Sequence, residues 1–292
     1  MLENAALVAL LRIGDRPWPR YASLVAETGS ALAVLDAELA SRGDHPSLFA
    51  TEPRPDLDAI TAELAAWEAD GMRLVSVLDS GYPENLRAVH DRPPFVFIAG
   101  RLSSVDARSV AVIGARAASA LGTAAAGAIA EHLVDHGYSV VSGLAAGIDT
   151  AAHAAALRRG GRTVAVIGTG LTRSYPPENA ALQRRIASEC AIVSQFWPHA
   201  PPSSESFPMR NAVMSGLSLA TVIVEASVTS GARIQARLAL AQCKPVFLLD
   251  SLLAADWART LAARAGVCVV RSPAEITTAL EEVSGNTPPS GS

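Results

Sequence analysis

Three glycine-containing segments mark where this chain could do chemistry, because each lies immediately after a β-branched run. Gly114-Ala115-Arg116 follows the run 110–113, Ser142-Gly143-Leu144-Ala145-Ala146-Gly147-Ile148-Asp149 follows Val140-Val141, and Gly168-Thr169-Gly170-Leu171 follows 164–167. Turns of this kind expose backbone N–H groups, and a helix starting just beyond them adds partial positive charge, a combination suited to phosphate. Glycine after a strand is also the ordinary way to turn sharply into a helix, so the clustering carries the reading rather than any one turn. Arg116 stands two residues past the first run and adds a guanidinium to the same rim. Arg210 and Asn211 open a helix directly after a Pro-containing loop, and both could address a ligand. Glu225 follows the run 221–224 and precedes Ser230-Gly231 at the next helix start; an acid there holds a ribose or base, or anchors a loop.

Other chemistries find little support. Gly168-x-Gly170 follows a strand, but Arg173 replaces the third glycine of a dinucleotide fingerprint. No G-x-x-x-x-G-K-[ST] occurs, and the only lysine, Lys244, precedes the 246–249 run. Ser142, Ser215 and Ser230 with His153 as base would be the candidates for nucleophilic catalysis; none forms a G-x-S-x-G elbow, and His153 reads as a helix-packing residue. No catalytic residue is assigned. Cys190, Cys243 and Cys268 lack metal-site spacing, so neither zinc nor a disulfide framework is expected, nor any other cofactor.

The elements that must position these residues follow from periodicity. Residues 1–70 carry helical spacing, with Leu7, Leu10 and Leu11, then Leu24, Leu32 and Leu35, broken by Gly- and Pro-containing turns. From Leu74 onward short β-branched runs at 95–98, 110–113, 139–141, 164–167, 192–194, 221–224, 246–249 and 267–270 alternate with Ala-rich helical windows. Such alternation predicts parallel strands joined by right-handed helical crossovers. The expected fold is α/β: a doubly wound, mostly parallel sheet over 71–284, a small helical domain over 1–70, and a flexible tail over 285–292. In such a sheet ligands bind beyond the carboxyl ends of the strands, where the glycine turns fall.

Composition bounds the partners. With 292 residues, 50% of them hydrophobic, the chain can bury a large core, and a net charge of −4 confines any polyanion site to one patch. Of 24 basic residues all but Lys244 are arginine. No apolar run reaches the roughly 18 residues of a membrane span, and the N-terminus lacks a basic leader, so a cytoplasmic location is expected.

A series of segments resembles one family throughout its length. Tyr82-Pro83-Glu84-Asn85-Leu86, Pro93-Pro94-Phe95-Val96-Phe97-Ile98-Ala99-Gly100 and Val112-Ile113-Gly114-Ala115-Arg116 are followed by Ser142-Gly143-Leu144-Ala145-x-Gly147-Ile148-Asp149 and Ala152-His153. Gly168-Thr169-Gly170-Leu171, Tyr175-Pro176-Pro177-Glu178-Asn179, Phe207-Pro208-x-Arg210-Asn211, Ser215-Gly216-Leu217-Ser218, Val224-Glu225-Ala226 and Ser230-Gly231 complete it. In this order, over about 79–282, they resemble the DprA/Smf family and its Rossmann-like domain. The resemblance implies a non-enzymatic homodimer that binds single-stranded DNA and helps load a RecA-type recombinase in natural transformation or recombination. It places Arg116, Gly143 and Gly147 against DNA phosphates and matches Arg210 and Asn211 to a positively charged loop. With the rim residues Gly114, Ser142, Gly168, Gly170, Ser230 and Gly231 these form the expected DNA site; Asp149, His153 and Glu225 are read as pocket or structural residues. The first 70 residues resemble a SAM-like or helix-hairpin-helix extension, and no winged-helix segment follows residue 282.

The chain departs from the family at Ala146 and Ala212, where basic residues are usual, at Ala115, where Ser is common, and at Leu248-Leu249-Asp250-Ser251, where a Pro-Gly turn is missing. Two lost cations predict weaker binding with a flatter salt response. Tyr82, Tyr175, Phe196 and Trp197 are the candidates for base stacking. The alternative function is a nucleotide-binding sensor or hydrolase of the wider Rossmann-like superfamily.

Overall fold

The computed structural model describes residues 1–43, 54–227 and 230–285. Four helices come first: α1 (Leu2–Ile13), α2 (Trp18–Thr28), α3 (Ala31–Gly43) and α4 (Leu57–Ala69). Helix α1 is buried from Ala5 through Leu11, as a helix apolar all round must be, and α3 and α4 both pack on it. Glu3 turns its carboxylate onto the start of α3, accepting from Ala31 N at 2.5 Å and Leu32 N at 3.1 Å. It supplies the anion that a helix N-terminus favours.

A nine-stranded sheet follows, built from β1 (Arg73–Ser76), β2 (Phe95–Gly100), β3 (Ser109–Gly114), β4 (Ser139–Ser142), β5 (Thr163–Val166), β6 (Ala191–Ser194), β7 (Ala220–Glu225), β8 (Val246–Leu249) and β9 (Val267–Val270). Its order is β1-β2-β6-β5-β4-β3-β7-β8-β9. The seven strands from β3 onward pair in parallel, as the alternation of runs and helices predicts. The run at 95–98 is a correction to that reading: β2 pairs antiparallel with both β1 and β6. Residues 101–108 link β2 to β3 with only a 3-10 turn over Ser104–Ala107. That is too short for the dozen or more residues a parallel crossover needs, so β2 joins the far side of the sheet.

Helices cover both faces, which is why the central strands are apolar without alternation. α6 (Ala120–Asp135), α7 (Ile148–Arg158) and α12 (Pro273–Gly285) share one core with Val110, Val112 and Val222. α8 (Ala180–Glu189) packs beside them on β5 and β6. On the other face, α9 (Ser206–Leu217), α10 (Gly231–Ala241) and α11 (Asp256–Ala262) share a core with the N-terminal helices. A short helix, α5 (Glu84–Arg87), packs on α9. Among the described residues no helix is long and apolar enough to cross a membrane. From residue 286 the expected tail lies outside the described residues, as does part of the break before α4.

Candidate nucleic-acid interface

The chain leaves β3 in one direction, through β4, β5 and β6, and then returns past it to β7, β8 and β9. The connections after β3 and β7 therefore diverge, and a doubly wound sheet opens a crevice at such a switch point. Here the crevice is about 630 Å3, with Gly114 and Arg116 on the β3 side, Glu225 and Ser230 on the β7 side, and Arg210 and Asn211 along α9. The turns after β3 and β4 thus meet in it, through Arg116 and Ala145.

Two glycines make this convergence possible. Gly147 has φ +80°, and a Cβ there would lie 2.3 Å from the Ala115 carbonyl oxygen. With no side chain in the way, Ile148 N donates to that carbonyl at 3.2 Å, locking the turn after β4 to the turn after β3. At Gly143 a Cβ would overlap both the Arg210 guanidinium and the Asp149 carboxylate, so the two groups converge there only because the residue is glycine.

Much of the polar inventory is used internally. Asp149 is buried and accepts from Gly143 N at 3.1 Å and Ala145 N at 3.3 Å, so its own carboxylate occupies the amides that the sequence reading gave to phosphate. Burial raises its pKa, opposed by the nearby Arg210 and by those two amides. Arg210 is only 6% exposed. Its Nη1 donates to the Gly143 carbonyl and, at 2.9 Å, to the Val166 carbonyl, tying α9 to the ends of β4 and β5. Burial pulls the guanidinium pKa down while Asp149 opposes it. Ser142 is buried and donates its hydroxyl to the Val112 carbonyl at 2.7 Å. His153 is fully enclosed: the Thr163 hydroxyl donates to the Val140 carbonyl at 2.8 Å, which leaves His153 Nδ1 to donate to Thr163 Oγ1 at 2.7 Å. Its Nε2 has no partner among the described residues, and burial lowers its pKa to about 3, so it is neutral and sealed from the crevice.

On the β7 side, Glu225 accepts from Ser119 N at 3.2 Å and from the Ser119 hydroxyl at 2.8 Å, anchoring the N-terminus of α6. Of its two readings, ligand contact or loop anchor, the anchor is the one its hydrogen bonds make. Ser230 caps α10, accepting from Ala232 N at 3.2 Å, and Gly231 borders open space. Gly114 sits at a bulge of β3 against β7, where a Cβ would meet Ile148 and the Glu225 carbonyl.

A smaller hollow of about 100 Å3 adjoins the crevice and shares Arg116 and Arg210 with it. The exposed Arg116 lays its guanidinium over the Phe207 ring at 5.1 Å, and Phe207 in turn faces Tyr175 with centroids 5.5 Å apart. Gly168 lines the hollow and gives Phe207 room, while Gly170 N is spent on the Ala200 carbonyl at 2.9 Å. Of the stacking candidates Tyr175 lines the hollow; Tyr82 is buried and donates to the Pro93 carbonyl, and Trp197 packs with Trp18 and Phe95. Ser119, bonded to Glu225, and Phe207, which lines the crevice, are neighbours that the sequence reading did not assign. Phe207 was visible inside a matched motif, and Ser119 as a capping residue ahead of an Ala-rich helix.

The fold and crevice define a doubly wound α/β protein with a switch-point site carrying one exposed guanidinium. A family profile described as DNA recombination-mediator protein A matches residues 73–284, and the chain belongs to that family, DprA/Smf. DNA processing protein DprA of Streptococcus pneumoniae is 39% identical over 174 residues, covering 60% of this chain and 61% of the relative. Protein Smf of Escherichia coli is 36% identical over 202 residues, covering 69% and 53%. The chain thus spans less than two thirds of the length of these curated relatives. Among solved structures, DprA of Streptococcus pneumoniae superposes with a TM-score of 0.69 at 29% identity, covering 95% of this chain and 93% of that one. DprA of Helicobacter pylori, described for its single-stranded DNA binding mode, superposes with a TM-score of 0.63 at 26% identity, covering 72% and 96%.

Proposed function

We propose that this chain binds single-stranded DNA in the switch-point crevice and acts in DNA processing, natural transformation or recombination as a homodimeric mediator that loads a RecA-type recombinase, without catalysing a reaction. The observation that carries this reading is the match of residues 73–284 to the mediator family, together with the likeness to the Helicobacter pylori protein described as binding single strands. The residues support a particular division of labour. Arg116 contacts phosphate, Asn211 and the start of α10 at Ser230-Gly231 supply further donors, and the Arg116–Phe207–Tyr175 ladder offers π-faces to bases. Asp149, Arg210 and the glycine turns hold that surface in shape. The sealing of His153 and the engagement of Asp149 by backbone amides favour binding over catalysis. A cytoplasmic location fits this role.

The test is an anisotropy titration of the purified protein with labelled oligo-dT and with duplex of equal length. Tighter retention of the single strand is expected; absent or equal retention overturns the reading. A parallel thermal-shift screen with mono-, di- and cyclic nucleotides should leave the melting midpoint in place, whereas a raised midpoint identifies a small-nucleotide ligand instead.

A further inference from the structure

The crevice is poor in available positive charge. Of its lining residues Arg116 alone is an exposed cation, Arg210 is buried, and Glu225 faces it with a carboxylate. Beyond Ser230, which lines both, a second groove of about 370 Å3 runs between α10 and α11. Arg233, Arg237, Arg264 and Trp257 line it, and among the described residues no carboxylate does. Arg233 and Arg237 are four residues apart and share a helix face, and the Arg233 guanidinium lies over the Trp257 indole at 5.5 Å. Arg237 and Arg264 are exposed, and among the described residues neither pairs with a carboxylate. Their neighbours Arg259 and Arg271 do pair, with Asp256 and Asp250. The Trp257 indole nitrogen is buried with no acceptor among the described residues.

Like charges gathered in one groove repel one another, and a polyanion is the ligand that relieves this. Guanidinium groups match phosphate oxygens in geometry, and an indole face accepts a stacked base of any sequence. We propose that this groove is a second contact site for the same single strand, carrying its phosphodiester backbone out of the crevice along α10. The proposal rests on the reading of the crevice as a single-strand site. At 1.5 Å per residue the helix carries Arg237 only about 10 Å beyond Ser230, so a strand seated in the crevice reaches it within a few nucleotides.

The experiment compares wild type with the double variant R237A/R264A, titrating oligo-dT of about six and about twenty nucleotides over a range of salt. The proposal expects short-oligonucleotide affinity to stay the same and long-oligonucleotide affinity to fall about tenfold, with the salt slope shallower by about 1.4 for two lost phosphate contacts. Unchanged affinity for both lengths overturns the proposal while leaving the crevice reading intact. An equal loss for both lengths also overturns it, since that is the signature of damage to the crevice. Should the double variant melt early, R237Q/R264Q is titrated in its place, against the same expectations. A change in sedimenting mass with unaltered DNA binding makes the groove a self-association face and overturns the proposal. If wild-type protein binds neither length, the proposed function itself fails, an outcome distinct from all of these.

Discussion

Two arginines that line the same crevice have opposite physical roles, because one is exposed and the other is buried. Arg116 makes no ion pair among the described residues and rests on a π-face, so Arg116→Ala should leave the melting temperature within a degree or two. It should weaken single-strand binding several-fold and make the salt slope shallower by about 0.7, read by anisotropy at several ionic strengths. Arg210 holds the carbonyls of Gly143 and Val166 and neighbours a buried carboxylate. Arg210→Met leaves Asp149 without its nearby cation, and denaturant unfolding should show a loss of about 3–5 kcal/mol. His153 gives the pH signature. Its pKa is lowered in the folded protein, so the unfolded chain binds the extra proton, and stability falls as pH drops from about 6.5 toward about 3. Chemical denaturation across that window should lose up to about 5 kcal/mol in wild type, and His153→Gln should flatten the acid limb.

At the scale of elements, the N-terminus of α6 and the turn after β4 present amides toward the crevice side, and each is met by a carboxylate of the protein itself, Glu225 and Asp149 respectively. Glu225→Gln retains an acceptor for Ser119 and removes a negative charge from the crevice wall. It should raise affinity for oligo-dT at low salt, an advantage that fades as salt screens the field, while costing no more than about 1 kcal/mol of stability. The order of elements was legible because β-branched runs alternate with Ala-rich windows, and the glycines that end those runs pointed to the strand ends where the crevice opens. Three features were hidden. β1, Arg73–Ser76, is a short edge strand with too few residues to show a pattern. α9 begins four residues before Arg210, because Pro208 falls in the first turn, where a missing N–H costs nothing; the sequence reading placed it in a loop. The engagement of Gly143 and Ala145 by Asp149 is a tertiary closure of a loop on the helix that follows it, and residue type alone does not reveal it.

At the scale of the molecule, the proposed unit over 1–70 shares its core with the sheet. Leu7, Leu10 and Tyr21 belong to the same buried cluster as Phe95 and Phe97, and Trp18 and Trp67 lay their rings on those phenylalanines. Removing residues 1–70 should therefore expose a contiguous aromatic surface on β2. We expect the truncated protein to bind a hydrophobic dye and to aggregate at concentrations where the full chain stays in solution. A monodisperse, cooperatively melting truncation would instead make 71–284 an independent folding unit. The pairing of β3 with β7 reaches across the chain, from Val110–Gly114 to Ala220–Glu225, with three strands and their helices in between. A ribosome must translate past β7 before both walls of the crevice exist, so under the proposed function a nascent chain has no place to seize a passing strand. On that proposal the protein is inert during its own birth and acquires its grip only when synthesis has passed Glu225.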